Sequence, residues 1–328
     1  MLFIFLFLKY KPTFKRKLIN SGIAVFIVVA SILLFFIPKE LFTADRWLII
    51  DLYWDSVFNG LYPYDQRTAI GNAPGAMPFY FLLCFPFYYI NEIGFMTIIS
   101  IILLSIYFYR KSLQRYSLFF ILLVTSACIY WEIFSRSTLL INATLFTFFL
   151  FYLYSFRSFS TRKLIWSAII GGFLFSMRNV FVLPLVVWGL YQLFQEKVSP
   201  RKVFLWGTVF LLSFALTFLP FITIYFDQFW EVNPFITQST LVPSIFIFIF
   251  IILAIIGSFF CRNYNDVTFF SLLLLFGIVT VHVINSACQY GLEAVIFESK
   301  ADISYYLFCI PYLLQILTTQ YKSKELVQ

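Results

Sequence analysis

The sequence predicts an all-α, polytopic bundle of membrane-spanning helices, and three observations carry that prediction. Its 328 residues are 62% hydrophobic and 12% charged, about half the charge of a soluble domain. Apolar runs recur along the whole chain with the length of about 20 residues that a bilayer core demands, and the mean hydropathy is +0.90. Third, the charges separate by sign. Stretches 1–19, 110–116, 157–163, 195–202, 261–266 and 320–328 carry 17 Lys and Arg against 3 Asp and Glu; stretches 38–75, 131–138, 177–180, 227–240 and 288–303 carry 6 against 11. Lys and Arg concentrate in cytoplasmic loops. The partition therefore predicts about ten crossings of the cell (inner) membrane, with both termini cytoplasmic.

Taken in order, MLFIFLFL followed by Lys9, Lys11, Lys15, Arg16 and Lys17 reads as a cytoplasmic anchor. It lacks the preceding basic region and the small-residue cleavage site of a signal peptide. A first span is expected over 20–37, and 38–75 is the first loop on the far side. Segment 76–90 contains Pro78 and Pro86, so a re-entrant or interfacial helix is expected there, with 76–109 making one net crossing. Further spans are expected at 93–109, 116–134, 139–156, 164–177 and 181–194, and additional ones at 203–226, 241–260, 267–287 and 304–319. No soluble domain can be cut from between them, so 1–328 reads as a single integral-membrane domain.

Composition also excludes several functions. A net charge of +8 without a basic stripe gives no nucleic-acid partner. Cys84, Cys128, Cys261, Cys288 and Cys309 lie in or beside apolar runs with no CxxC pair, so neither a disulfide framework nor a zinc site is indicated, and no metal or cofactor is expected. There is no GxxxxGK[ST], no GxGxxG and no HExxH, which leaves nucleotide hydrolysis and nicotinamide chemistry without support.

The candidate chemistry centres on Trp47 to Pro78, WLIIDLYWDSVFNGLYPYDQRTAIGNAPGAMP, the longest polar interruption in the chain. Asp51 is the one charge in Trp47-Leu-Ile-Ile-Asp51-Leu-Tyr-Trp54; a carboxylate there is either a working acid or base or a solvated group on an interfacial helix. Asp55 follows four residues later, on the same face of any helix formed. Tyr64 and Asp65 belong to a Tyr-Pro-Tyr turn, and Asn72-Ala-Pro-Gly75 forms a second turn back to the membrane. Arg178 separates two apolar segments and is read either as a phosphate ligand or as a snorkelling side chain. Arg136 and Lys300 are weaker candidates for the same task. His282, the single histidine, is either a phosphate or proton contact or an interhelical hydrogen-bonder. Asn142-Ala-Thr144 matches the glycosylation triplet at the mouth of a span.

These blocks together resemble the GT-C superfamily of membrane glycosyltransferases, and look most similar to the family-87 and related polyprenyl-phosphate-mannose-dependent mannosyltransferases. The resemblance rests on Asp51-Leu-Tyr-Trp-Asp55, on Gly60-Leu-Tyr-Pro-Tyr64-Asp65, on the Asn-Ala-Pro-Gly turn and on the Pro-Phe-Tyr-rich segment after it. Ser135 to Asn142 is similar to the family's Gly-Gln-x-Asn segment, and Gly171 to Pro184 to its glycine-rich helix, single cation and proline. The likeness covers roughly residues 20–194. The chain departs from the pattern in having Arg136 in place of the Gly-Gln pair and Arg178 where Lys is usual.

The resemblance implies transfer of a sugar, with mannose the family-weighted choice, from a polyprenyl-phosphate donor to a lipid or glycan acceptor, among membrane lipids and without a metal. It gives Asp51, with Asp55 as the alternative, the role of general base, and Arg178, with His282, that of stabilising the departing phosphate. Tyr64, Asp65, Asn72 and Arg136 join the expected substrate-binding set. A polysaccharide polymerase is the competing enzyme reading, and a lipid-linked-sugar flippase or transporter the competing non-enzyme.

Overall fold

The computed structural model describes residues 14–41, 46–68, 71–239, 241–297 and 302–319. Lys9, Lys11 and Lys300 lie outside them. Every regular element among the described residues is helical, which is how a backbone in hydrocarbon satisfies its own N–H and C=O groups.

Helix α1 (Arg16–Phe36) is followed by a short 3-10 turn, Lys39–Leu41, and by α2 (Arg46–Phe58). Free of Gly and Pro, α2 buries Ile50, Tyr53 and Ser56 at near-helical spacing. It stops at Asn59-Gly60, where Gly60 takes φ +69°, a left-handed turn that glycine adopts without a Cβ penalty. Asp51 and Asp55 therefore do share a helical face. Helix α3 (Pro78–Tyr89) starts on proline and contains Pro86; at 12 residues it rises about 18 Å, short of a bilayer core.

Next come α4 (Phe95–Tyr109), α5 (Leu113–Thr125) and α6 (Ala127–Phe134). The single helix expected over 116–134 is two. The chain bends by 62° between α5 and α6 because Ser126 is extended (φ −85°, ψ 107°). The Tyr130 hydroxyl donates to the Val124 carbonyl freed by that break, at 2.9 Å. Helix α7 (Leu139–Tyr152) continues into a 3-10 stretch to Ser158, and α8 (Thr161–Phe175) and α9 (Val182–Phe194) flank the Arg178 break.

The helix expected over 203–226 also divides, into α10 (Pro200–Leu216) and α11 (Leu219–Ile224), because Pro220 at the start of α11 has no N–H to continue the ladder. Short helices α12 (Phe226–Glu231) and α13 (Pro234–Ser239) precede α14 (Ser244–Phe260), α15 (Tyr264–Tyr290), α16 (Leu292–Phe297) and a 3-10 turn, Ile303–Cys309, running into α17 (Ile310–Thr319).

Three of the described helices are long and apolar enough to cross a bilayer: α1, α7 with its extension (Leu139–Ser158), and α15; a fourth counts if α5 and α6 form one bent span. The chain is thus a helical membrane protein.

Two packing zones frame the candidate site. Helices α1, α4, α5 and α6 share one apolar core, and α7 to α10 share another with α14, α15 and α17. Between them, α2 and α3 build a third core with Tyr62, Tyr64, Met177 and Phe229. Gly172 lets α8 lie directly on α10: a Cβ there would meet the Phe210 carbonyl oxygen at 2.4 Å and the Ser213 Cβ at 2.8 Å.

Candidate functional site

The expected site residues fall into four environments. The first is a cavity of about 150 Å³ beneath the α8–α9 break, whose polar lining is Arg178, Asn179, Gln238, His282 and Tyr305, the rest being aliphatic or aromatic. The break exists because Ser176 closes α8 and Arg178 is extended (φ −152°, ψ 130°). Arg178 lies over the Tyr80 ring, 5.4 Å from its centroid. Its Nε is buried with no hydrogen-bond partner, and among the described residues no carboxylate pairs with it.

The His282 Nδ1 is 2.7 Å from the Leu241 carbonyl oxygen. That oxygen only accepts, so Nδ1–H donates, and the neutral ring keeps its lone pair on Nε2. Two residues singled out separately in sequence, 104 positions apart by their numbers, thus meet at one cavity.

Backbone contacts tie the loop to this cavity. Gln238 donates from Nε2 to the Gly75 carbonyl at 2.6 Å and accepts from the Asn179 N–H at 3.2 Å. The Tyr80 N–H donates to the Ser176 carbonyl at 3.2 Å, and the Tyr80 hydroxyl bonds that of Thr138 at 2.8 Å. The turn before α3 is therefore fastened to the break that carries Arg178.

The second environment is the outer face of α2. Asp51 accepts from the Lys39 ammonium at 3.2 Å, with about a fifth of each side chain exposed. Lys39 also donates to the Asn91 side chain at 2.8 Å and sits 4.3 Å from the Trp47 ring centroid. Burial raises the Asp51 pKa above the ordinary carboxylate value, Lys39 opposes the rise, and Asp55 adds to it. Asp55 is exposed and accepts from the Tyr88 hydroxyl at 2.6 Å. The two carboxylates therefore differ: one is half-buried with a raised pKa, the other is in water and held by a phenol.

The third environment is a charge cluster that sequence reasoning missed. Arg46, at the start of α2, bonds the Asp302 carboxylate and the Ser137 hydroxyl and lies 3.8 Å from Glu132. Glu132 is fully buried and accepts from the Leu140 N–H at 2.8 Å, at the positive end of α7. Burial alone would push the Asp302 carboxyl up, but Arg46 and donation from Ser304 hold it below its ordinary value. The Arg46 guanidinium is 5.8 Å from the ring of Tyr305, a wall of the cavity. Arg46 and Asp51 are five residues apart on one helix, about 7.5 Å along its axis, so α2 connects the cavity wall to the raised-pKa carboxylate. The signal for Glu132 was present: it is a lone acid in Tyr130-Trp-Glu-Ile133, the pattern that singled out Asp51. The Arg46–Asp302 pairing, 256 residues apart, has no local signal.

The remaining expected residues are either held by protein partners or lie on the loop surface. Arg136, 2% exposed, pairs with Glu92 at 3.3 Å and donates to the carbonyls of Leu34, Ile37 and Phe134 at 2.7–2.9 Å. It closes the C-terminal end of α1. Tyr64 is fully buried, ringed by Tyr53, Tyr62 and Phe221 at 5.5–5.8 Å, and it packs the loop. Asp65 and Asn72 are exposed, and the Asn72 carbonyl and N–H close a turn with Thr68 at 2.9 and 3.2 Å. The Asn142 side chain is fully buried with neither amide atom bonded, so its glycosylation triplet is sealed inside α7. Among the described residues no group of three His, Cys, Asp or Glu gathers to hold a metal. Comparison with protein-family models, with curated proteins and with solved structures gives no match.

Proposed function

We propose that this protein is an integral-membrane glycosyltransferase of the GT-C kind, which moves a sugar, mannose being the first to test, from a polyprenyl-phosphate donor to a lipid or glycan acceptor outside the cytoplasm. About ten crossings and cytoplasmic termini belong to this reading, with α4, α8, α9, α10, α14 and α17 counted as spans beside α1, α7, α15 and the bent α5–α6 pair.

The observation that carries the reading is Arg178. A cation with no acid partner among the described residues and an unpartnered buried Nε, at the edge of a largely apolar cavity, suits a lipid-linked phosphate: the guanidinium can bind the phosphate bidentately while the apolar lining accepts the chain. His282 Nε2, whose lone pair accepts, can take a hydrogen bond from a hydroxyl of the sugar in the same cavity.

In the proposed reaction the Asp51 carboxylate takes the proton of an acceptor hydroxyl, and the acceptor oxygen bonds to the anomeric carbon as the anomeric carbon–phosphate oxygen bond breaks. The electron pair leaves on the polyprenyl phosphate, whose charge Arg178 stabilises. A half-buried carboxylate with a raised pKa is a stronger base than an ordinary one. That supports Asp51 over Asp55 as the base.

The test reconstitutes the full chain in liposomes with radiolabelled polyprenyl-phosphate mannose and a lipid extract as acceptor. Label moves to the acceptor with wild type, and Arg178→Gln slows that transfer by about two to three decades, the usual cost of one charge-stabilising donor. If wild type consumes none of several polyprenyl-phosphate sugars, the transferase reading fails and lipid-linked-sugar transport becomes the better account.

A further inference from the structure

Beyond Arg178 and Asp51, the surface between α2 and α3 carries a feature with no role so far. Four aromatic rings gather there: Trp54 and Phe58 from α2, Phe85 and Tyr88 from α3. Trp54 and Phe85 have centroids 4.6 Å apart, and Phe58 and Tyr88 lie 6.2 Å apart with planes at 24°. Phe85 and Tyr88 are similarly inclined at 25°. Phe58 is 63% exposed. On α2 these rings alternate with acids: Asp51, Trp54, Asp55 and Phe58 follow the spacing of a single helical face.

Aromatic side chains at a lipid interface direct their polar tips to water. Here the tips are already engaged. The Trp54 indole N–H donates to the Phe81 carbonyl at 3.1 Å and the Tyr88 hydroxyl to Asp55 Oδ1, so the rings offer faces and edges to the outside. Each neighbouring acid keeps an oxygen free of those bonds: Tyr88 uses Oδ1 of Asp55 and Lys39 uses Oδ2 of Asp51. Asn91 and Lys39 add further polar atoms at the same edge.

Ring faces bordered by carboxylate oxygens match one ligand chemistry, a pyranose, whose C–H face is apolar and whose rim donates hydroxyl protons. We infer that the α2–α3 surface is a saccharide subsite that holds the acceptor as a hexopyranoside. The ring stacks on Phe58 and Tyr88, Asp55 accepts from one of its hydroxyls, and the hydroxyl that reacts is presented to Asp51. Asp55 is then a binding residue and not a second base. This assignment of the acceptor rests on the transferase reading, but the capacity to bind a sugar does not.

The experiment is saturation-transfer NMR on the full chain in lipid nanodiscs, with mannobiose and cellobiose as probes and mannitol as an acyclic polyol without a ring face. At millimolar concentration at least one disaccharide receives saturation at its ring C–H protons and mannitol does not. Phe58→Ala and Asp55→Asn each weaken that disaccharide by about tenfold, or 1.4 kcal/mol, while near-ultraviolet circular dichroism stays that of wild type. No disaccharide signal, equal binding of mannitol, or rings that saturate lipid chains instead would overturn the subsite and make the surface a lipid-interface belt.

The two readings fail separately. Disaccharide binding lost in Phe58→Ala, with no polyprenyl-phosphate sugar consumed, keeps the subsite and removes the transferase. Sugar transfer with an acceptor KM unchanged in Phe58→Ala and Asp55→Asn keeps the transferase and removes the subsite.

Discussion

Arg136 and Arg178 occupy similar places in the sequence, each a single cation at a break between apolar segments, and the fold uses them in opposite ways. Arg136 adopts a left-handed backbone (φ 49°) and directs its donors to the Glu92 carboxylate and to three carbonyls. Arg178 is extended, lies over the Tyr80 ring and lines a cavity. The difference shows how to judge a charge in an apolar protein. A cation whose donors are all matched by the fold holds helices together, and one left unmatched is available to a ligand.

Substitutions can break or sharpen that contrast. The largest effect is expected at Arg136: Arg136→Met leaves Glu92 buried without its cation and frees the carbonyls at the end of α1, at a cost of about 3–5 kcal/mol. Thermal unfolding in detergent should show a large fall in Tm, and an unchanged Tm would remove its structural role. Arg178→Gln is the converse, a change that lowers transfer as described above but shifts stability by less than about 1 kcal/mol, because among the described residues no acid loses a partner.

Lys39 lies between these extremes, paired with Asp51 yet a fifth exposed. Removing it takes away the cation that opposes the rise in the Asp51 pKa. In Lys39→Met the acid limb of the pH–rate profile, already above the free Asp value of about 3.9, should move to still higher pH, with stability little changed because ion pairs open to water contribute about 0–1 kcal/mol. A downward shift would contradict the role given to Asp51. The smallest effect belongs to Asp65→Asn on the exposed loop, expected within about 0.5 kcal/mol of wild type and without effect on transfer.

Local pattern made the helical membrane class legible, along with the shared face of Asp51 and Asp55 and the Arg178 break, because each depends on neighbours within a turn or two. It also marked His282, though not that it meets Arg178. What stayed hidden was set at long range. Tyr64 reads as a turn residue until α2, α3 and α11 close around it. The bend at Ser126 interrupts an unbroken apolar run, and the Arg46 cluster joins three segments far apart in the chain. The distinction between Asp51 and Asp55 likewise comes from Lys39 and Tyr88, which approach from other elements.

The central claim is that Asp51 is the base of a sugar transfer. It is tested most directly by comparing wild type, Asp51→Asn and Asp55→Asn in liposomes supplied with radiolabelled polyprenyl-phosphate mannose, at matched protein levels and saturating acceptor. Asp51→Asn is expected to lose about two to four decades of rate, as removal of a general base does, while Asp55→Asn chiefly raises the acceptor KM. Transfer by Asp51→Asn at the wild-type rate would contradict the account.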